Sequence, residues 1–272
     1  MKRGAETHLE SSIPLILIAI LAVFVAAKFN FIDCSNIPGL SLVCPAPQVK
    51  IGVVGHASLN MANLLQAEDF RIAGIQYLGD LDQTAIYPGV LNQFDIIMLQ
   101  GEQICDRTAR KVIADKVKSG GKLIVVADAC TKVHDDNTVV GWDVGIGTLG
   151  DIMPVIVGGV THEYEPVRRT SITGKFKIVV VDHPIFPRGQ KNFQFSGSVV
   201  KVIPNGRVDN NILAYVDTSS QQVTDPAVFA IVESKSLLAG KVMYFAFDPG
   251  NLEYSSRNMF LNTLLYLKGA RG

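Results

Sequence analysis

Residues 94–134 decide the fold and read, in succession, FDIIMLQG, EQICDRTARKVIADKVKSGG and KLIVVADACTKVH. Two short runs, residues 95–99 and 123–127, are apolar and rich in isoleucine and valine, which is typical of strands covered on both faces of a parallel sheet. Between them, apolar residues recur at helical spacing, Arg110 falls on the outward face, and a pair of glycines ends the helix. The stretch predicts one right-handed strand–helix–strand unit.

Further strands and helices alternate on either side of this unit. VKIGVVG at residues 49–55 is predicted to be the first core strand and residues 70–77 the second, with later strands over residues 175–182 and 241–248 and a closing helix over 255–267. This alternation predicts an α/β domain over residues 49–272, built on a doubly wound, flavodoxin-like, mostly parallel sheet.

Polar residues follow several of the predicted strands. In such sheets, ligands bind beyond the carboxyl ends of the strands. Four residues stand at these ends and are the ligand-binding candidates: Gln100, Glu102, Asp128 and Asp248. For Glu102, capping of the following helix is the alternative role.

The amino terminus carries a long apolar run. Residues 13–31 read IPLILIAILAVFVAAKFNF, close to the length of ~20 residues that crosses a bilayer as a helix. Lys2 and Arg3 precede the run, so residues 1–12 are predicted to be cytoplasmic, residues 32–48 a juxtamembrane linker, and the domain extracytoplasmic. A cleaved signal peptide is the alternative, since small residues stand near its end.

The net charge of the chain bears on which classes of molecule it can bind. The chain has 25 basic and 25 acidic side chains, hence a formal net charge of zero. Nucleic-acid binding is therefore not expected, because no excess of positive charge is available to neutralise phosphates. The membrane is the first expected partner, through residues 13–31, and a protein or a small ligand the second.

Two pairs of cysteines are candidates for disulfides. Cys34 and Cys44 flank a short segment after the apolar run, where a disulfide is plausible in an oxidising compartment. Cys105 and Cys130 each follow a predicted strand of the central unit, so both fall at the same edge of the sheet. They are either bridged or two reduced, buried thiols, and the sequence leaves both alternatives open.

Several segments, taken in order, resemble the class I glutamine amidotransferase-like superfamily, in particular its ThuA-like and membrane-associated branches. They are VKIGVVG, FDIIMLQG, GGKLIVVADA, THEYEP, DHPIFPRG and GKVMYFAFDPGN, which together span most of residues 49–269. The resemblance implies a cysteine nucleophile on a sharp strand-to-helix turn and a His-x-Glu pair after the last strand. Here the nucleophile position falls nearer Asp128 than Cys130, the usual glycine is missing, and no histidine follows Asp248. The resemblance therefore implies a degenerate triad.

The remaining catalytic candidates are Cys130, His134, His162 and Glu163, of which the last two could also act as a displaced base and acid. A metal role for His134 or His162 with Asp128 is less favoured than a solvated turn, because no second ligand stands at the required spacing on the same element. No metal and no cofactor are predicted. Trp142 with Tyr164 could stack on a sugar, although core packing is the commoner role for a single tryptophan.

These observations favour a membrane-anchored, extracytoplasmic binding or scaffold module with a non-catalytic amidotransferase-like domain, which could be a subunit of a membrane complex. The alternative is a hydrolase on the same fold that acts on a carbohydrate or a related small molecule. The two hypotheses differ in what they require at the carboxyl edge of the sheet. A hydrolase needs a deep pocket with convergent polar side chains, whereas a binding module does not.

Overall fold

The computed structural model describes residues 48–134, 140–143, 149–157, 169–216, 228–235 and 240–269, together with four isolated helical positions, Pro14, Ile18, Leu21 and Ala22. The chain forms two compact units, residues 1–47 and 48–272. Among the described residues, no helix is both long enough and apolar enough to cross a membrane. The predicted span over residues 13–31 lies largely outside the described residues and stays a prediction.

The first half of the second unit alternates strands and helices as the sequence predicts. Its elements are β1 (Val49–Gly55), α1 (Leu59–Leu65), α2 (Glu68–Ile72), β2 (Ile75–Leu81), α3 (Pro88–Leu91), β3 (Ile96–Gln100), β4 (Ile104–Cys105), α4 (Arg107–Lys118), β5 (Lys122–Val126) and β6 (Lys132–Val133), with a 3-10 turn at Gln83–Ala85.

The second half is richer in strands. Its elements are β7 (Val155–Val157), β8 (Arg169–Ile178), β9 (Asn192–Val200), β10 (Val202–Pro204), β11 (Asn210–Val216), β12 (Phe229–Ser234), β13 (Lys241–Phe245) and α5 (Tyr254–Lys268), with 3-10 turns at Leu149–Asp151 and Pro249–Asn251.

One nine-stranded sheet organises the unit, in the order β2-β1-β3-β5-β13-β12-β11-β8-β9. The pairs from β2 to β13 are parallel. The pairs from β13 to β9 are antiparallel. The parallel part confirms the predicted flavodoxin-like arrangement, while the antiparallel extension is a feature that the sequence did not predict. Its outermost strands show the alternating burial of a sheet with one solvated face.

Helices cover both faces of the parallel part, which makes the sheet doubly wound. One face packs against α1 and α5, through residues such as Met61 and Phe260. The other packs against α4, where Ile113 and Val117 form the apolar stripe that the sequence predicts. The helix begins at the cap formed by Asp106, whose carboxylate accepts a hydrogen bond from the Thr108 amide at 3.0 Å.

Three local predictions were wrong. Residues 70–77 do not form one strand, because Glu68–Ile72 is a helix whose first turn carries two acidic side chains, which favour a helix amino terminus. The strand predicted over residues 175–182 ends at Ile178. Arg110 does not face outward: it is buried, and its Nη2 donates to the Gly141 carbonyl at 2.9 Å. Burial, aided by the nearby charge of Arg107, lowers the pKa of Arg110 to about 10.

A buried polar network fastens the segment after β8 to α5. His183 Nε2 lies 3.1 Å from a carboxylate oxygen of Glu233 on β12, and the Tyr266 hydroxyl of α5 donates to the other oxygen at 2.7 Å. Lys241 Nζ donates to the Tyr266 hydroxyl at 2.6 Å. Burial alone would raise the pKa of Glu233, but the hydrogen bonds from His183 and Tyr266 outweigh it and the pKa is lowered. The network thus contains a buried carboxylate whose hydrogen-bond partners come from the segment after β8 and from α5.

Candidate functional site

The carboxyl ends of β1 and β3 meet closely enough to bring their following residues together. Gly101 has φ +86°, and a Cβ at this position would lie 2.3 Å from the His56 carbonyl oxygen. The His56 amide in turn donates to the Gln100 carbonyl at 3.1 Å. A residue with a side chain could not adopt this geometry without strain. The close approach places Glu102 beside His56.

His56 lies between two carboxylates at this edge. Its Nδ1 is 3.6 Å from a carboxylate oxygen of Asp80, and its Nε2 is 3.4 Å from one of Glu102. The imidazole is 75% exposed and the two acids about one third exposed. The three side chains therefore form an open surface cluster and not the floor of a closed pocket.

Other contacts hold the two acids in place. Asp80 accepts hydrogen bonds from the Tyr77 hydroxyl and, at 3.2 Å, from the Ala57 amide. Glu102 accepts one from Gln83 Nε2 at 2.9 Å. Burial, together with the hydrogen bond to Asp80, raises the pKa of Tyr77 well above its ordinary value. Tyr77 therefore stays a neutral donor, and the negative charge remains on Asp80.

A second polar group stands where α1 begins. Ser58 donates to a carboxylate oxygen of Asp248 at 2.5 Å and accepts from the Met61 amide at 3.1 Å, so it also caps α1. Gln100 Nε2 lies 3.4 Å from the same serine oxygen. Gln100 is only 3% exposed, and its Oε1 has no hydrogen-bond partner in the described part of the chain. The predicted candidates Gln100 and Asp248 are thus brought together through Ser58.

Asp128 is buried away from this cluster. Its carboxylate forms a two-point ion pair with Arg169, the first residue of β8, and accepts from Gln103 Nε2. Tyr244 lies close enough for the Asp128 charge to affect it: burial first, and that charge second, raise the pKa of Tyr244 well above its ordinary value. Asp128 is thus engaged in a structural ion pair, and its side chain is only 3% exposed.

The turn after β5 is strained at two residues. Ala127 follows the strand directly and has φ +55°, and Cys130 has φ +56°, which is an unusual conformation for residues other than glycine. Such strain is found where a fold displays a nucleophile on a sharp turn. Ala127 carries a methyl group and no reactive atom, and Asp128, the residue nearest to the position that the resemblance implies for the nucleophile, lies between the two.

Cys105 and Cys130 form a disulfide, with 4.9 Å between their Cα atoms. This decides between the two alternatives that the sequence left open. The Cys130 amide donates to the Glu102 carbonyl at 2.9 Å, so the bridge lies next to the backbone of Glu102. While the bond is closed, Cys130 has no free thiol to act as a nucleophile.

The other candidates are dispersed. His134 lies exposed in a turn. Trp142 is buried, its Nε1 donates to the Ala129 carbonyl at 2.9 Å, and its ring meets the edge of Tyr244, so it packs in the core and is not available to a sugar. The remaining candidates lie outside the described residues: Cys34, Cys44, His162, Glu163 and Tyr164.

Within the ranges that the structure describes, no group of three or more His, Cys, Asp or Glu side chains is placed to hold a metal ion. A cavity of about 300 Å³ lies elsewhere on the domain, between the 3-10 turn at Leu149–Asp151 and the segment that follows β10. Its lining includes Asp143, Gly150, Ile156, Asn205, Gly206 and Arg207.

Solved structures of other proteins share the fold of this chain. No protein-family model matches the sequence, and no curated protein matches it. Among solved structures, a ThuA-like protein from Bacteroides uniformis aligns with a TM-score of 0.57 and 9% identity, over 82% of this chain and 92% of the other. The likeness is one of fold.

Two further structures agree with it. A ThuA-like protein from Parabacteroides merdae gives a TM-score of 0.53 at 10% identity, over 82% of this chain and 91% of the other. A β-galactosidase from Bacillus circulans sp. alkalophilus gives 0.54 at 9% identity, and there 81% of this chain covers only 31% of the larger enzyme. At these identities the similarities show a shared fold and nothing of the function.

The sequence does not predict three residues at this edge: His56 and Asp80 of the surface cluster, and Ser58 of the second polar group. His56 and Ser58 stand directly after β1, at the same edge as the predicted candidates, and this position was the signal that could have identified them. Asp80 lies near the end of β2, which the sequence does not predict because it places a strand over residues 70–77. The error in one strand therefore removed one carboxylate from the predicted site.

Proposed function

We propose that this protein is a membrane-anchored, extracytoplasmic binding or scaffold module whose amidotransferase-like domain performs no amide chemistry. One observation carries the proposal: the described turn after β5 presents no free nucleophile. Ala127 carries a methyl group, Asp128 is paired with Arg169, and Cys130 is in the disulfide. Covalent catalysis on this turn needs an exposed, activated nucleophile, and the described turn offers none.

The binding role rests on the carboxyl edge. Ligands of open α/β sheets bind at this edge. Here it presents a histidine, a serine and three carboxylates on an open surface, while the cavity of about 300 Å³ lies elsewhere. An open polar surface suits contact with another molecule's surface better than the enclosure of a small substrate, since small-molecule sites are typically concave and bury most of the ligand.

The proposed location rests on two separate features. Residues 13–31 have the length and the apolar character of a single span. Disulfides form and persist in oxidising compartments, so the Cys105–Cys130 bridge supports an extracytoplasmic domain. Both features agree with the cytoplasmic amino terminus that Lys2 and Arg3 favour.

Labelling of nucleophiles in the intact protein tests the catalytic part of the proposal. The chain is purified in detergent without reductant and treated with iodoacetamide and, separately, with a fluorophosphonate, and labelled sites are mapped by mass spectrometry. We expect neither Cys130 nor Ser58 to be labelled. The variant Cys105→Ala is the matched control, because it frees the Cys130 sulfur and shows that the labelling conditions detect it.

Hydrolysis assays complete the test. We expect no release of ammonia from glutamine and no release of nitrophenol from nitrophenyl glycosides, including the galactoside. Rapid labelling of Cys130 or Ser58 in the wild type would overturn the proposal. So would any hydrolysis that Ser58→Ala or Glu102→Gln abolishes, and the carbohydrate hydrolase would then be the better hypothesis.

A further inference from the structure

The carboxyl-edge patch consists of the acids Asp80, Glu102 and Asp248 with the exposed apolar side chains Leu59 and Tyr254. We infer that this patch docks a basic segment of a partner protein, with a lysine or arginine over the acids and an apolar neighbour on Leu59 and Tyr254. The inference rests on the proposed binding role and states which chemistry the partner presents.

The charge of the patch is the first argument. Among the described residues, Asp80 and Glu102 contact His56 and form no ion pair with a lysine or arginine, and Asp248 accepts from the Ser58 hydroxyl and the Gly250 amide. The chain as a whole has equal numbers of acidic and basic groups, so this edge departs from the average. Positive charge on a partner complements this edge.

The exposed apolar side chains are the second argument. Leu59 is 76% exposed and Tyr254 is 81% exposed, although both belong to segments that pack tightly elsewhere. Those segments meet where Asn60 Nδ2 donates to Asn251 Oδ1 at 2.7 Å. Arg257 already lies over the Tyr254 ring at 5.7 Å, so the ring accepts a guanidinium on its face. Apolar groups beside acids suit a segment that is both basic and apolar.

The unpaired amide of Gln100 is the third and independent argument. Its Nε2 lies 3.4 Å from Ser58 Oγ, and its Oε1 is buried and has no donor in the described part of the chain. A buried carbonyl without a donor is costly, and the donors of a lysine or arginine can supply the missing hydrogen bond once the Gln100 amide turns toward the patch. Among the described residues, the patch thus combines carboxylates that form no ion pair with lysine or arginine and a buried carbonyl oxygen, Gln100 Oε1, that accepts no hydrogen bond.

A peptide of defined composition tests the inference on the full-length protein. The probe is a fluorescein-labelled hexapeptide of alternating arginine and leucine. The control is the same labelled peptide with citrulline in place of arginine. Citrulline keeps the shape and removes the charge. Fluorescence anisotropy at ~0.1 M salt, where surface charges act over about 10 Å, measures both affinities. We expect the arginine peptide to bind and the citrulline peptide to bind at least about tenfold more weakly.

Variants locate the binding surface. The pair Asp80→Asn and Glu102→Gln is expected to weaken binding about tenfold, at about threefold for each part-exposed ion pair. The control pair Asp115→Asn and Asp151→Asn removes the same charge from half-exposed acids elsewhere, and affinity should change less than about twofold. Tyr254→Ser removes a side chain that is 81% exposed, so it keeps the fold and should weaken binding about fivefold.

The outcomes separate this inference from the proposed function. Equal binding of both peptides, or equal loss in the control pair, would overturn the basic-segment partner. Competition by spermidine as strong as that by unlabelled peptide would also overturn it, in favour of a small amine. None of these results changes the labelling of Cys130 or Ser58, which tests the proposed function by itself.

Discussion

Removing the disulfide is the most informative change to the fold. The double variant Cys105→Ala/Cys130→Ala should lower the free energy of unfolding by about 3.5 kcal/mol. The bridge joins the segments after β3 and β5, and the Cys130 and Lys132 amides donate to the Glu102 and Gln103 carbonyls beside it. Its loss therefore also loosens the segment that carries Glu102.

The magnitude follows from the length of the closed loop. The two cysteines are 25 residues apart in sequence. Closing a loop of this length removes about 12 cal/mol/K of entropy from the unfolded chain, which corresponds to about 3.5 kcal/mol at 25 °C. For a domain of this size each kcal/mol shifts the melting temperature by about 2–4 °C, so we expect a decrease of about 7–14 °C.

Equilibrium unfolding in urea measures the effect. The wild type is unfolded with and without dithiothreitol, and the variant likewise. Reductant should lower the stability of the wild type toward that of the variant, and it should leave the variant unchanged. A variant within about 1 kcal/mol of the oxidised wild type would refute the loop-closure reasoning.

Four further predictions concern the buried network around Glu233, the turn at the site and the anchor. His183→Ala leaves the Glu233 carboxylate buried without one partner and should cost about 3 kcal/mol in urea unfolding. Because the pKa of Glu233 is lowered in the folded state, the advantage of the wild type over Glu233→Gln should be full above the ordinary glutamate pKa and vanish as the pH falls through the lowered value. Gly101→Ala should cost at least about 2 kcal/mol more than Gly120→Ala, since both have positive φ but only the first would meet backbone, at 2.3 Å. Deleting residues 13–31 should release the protein from membranes washed with alkaline carbonate, and release of the undeleted chain would contradict the anchor.

The strands and helices with strong periodicity were predictable from the sequence. The first strand, β1, has the predicted bounds, and α5 differs from the prediction by one residue at each end. β1 is a short, nearly continuous apolar run of strand length, and the apolar residues of α5 recur at helical spacing over a length that is typical of helices. The structure of residues 68–77 was not predictable, because a five-residue helix and the start of a strand share one short apolar run there. Runs of this length fit either structure.

The strand order in the antiparallel half of the sheet could not be predicted from the periodicity of the sequence. The order in which β13, β12, β11, β8 and β9 pair depends on contacts between residues distant in the chain. Alternating burial in β8 and β9 indicates strands with one solvated face, but it does not identify their neighbours or direction.

The candidate site was also predictable only in part. By itself, the sequence determined that four residues stand at the carboxyl edge, because this depends on where each strand ends: Gln100, Glu102, Asp128 and Asp248. Tertiary structure alone decided which of them face solvent. Arg169, 41 residues away, withdraws Asp128 into a buried pair, while His56 joins Asp80 to Glu102. The physical reason is that strand ends follow from local side-chain periodicity, whereas charge pairing is settled by which distant segments the folded sheet brings within about 4 Å of each other.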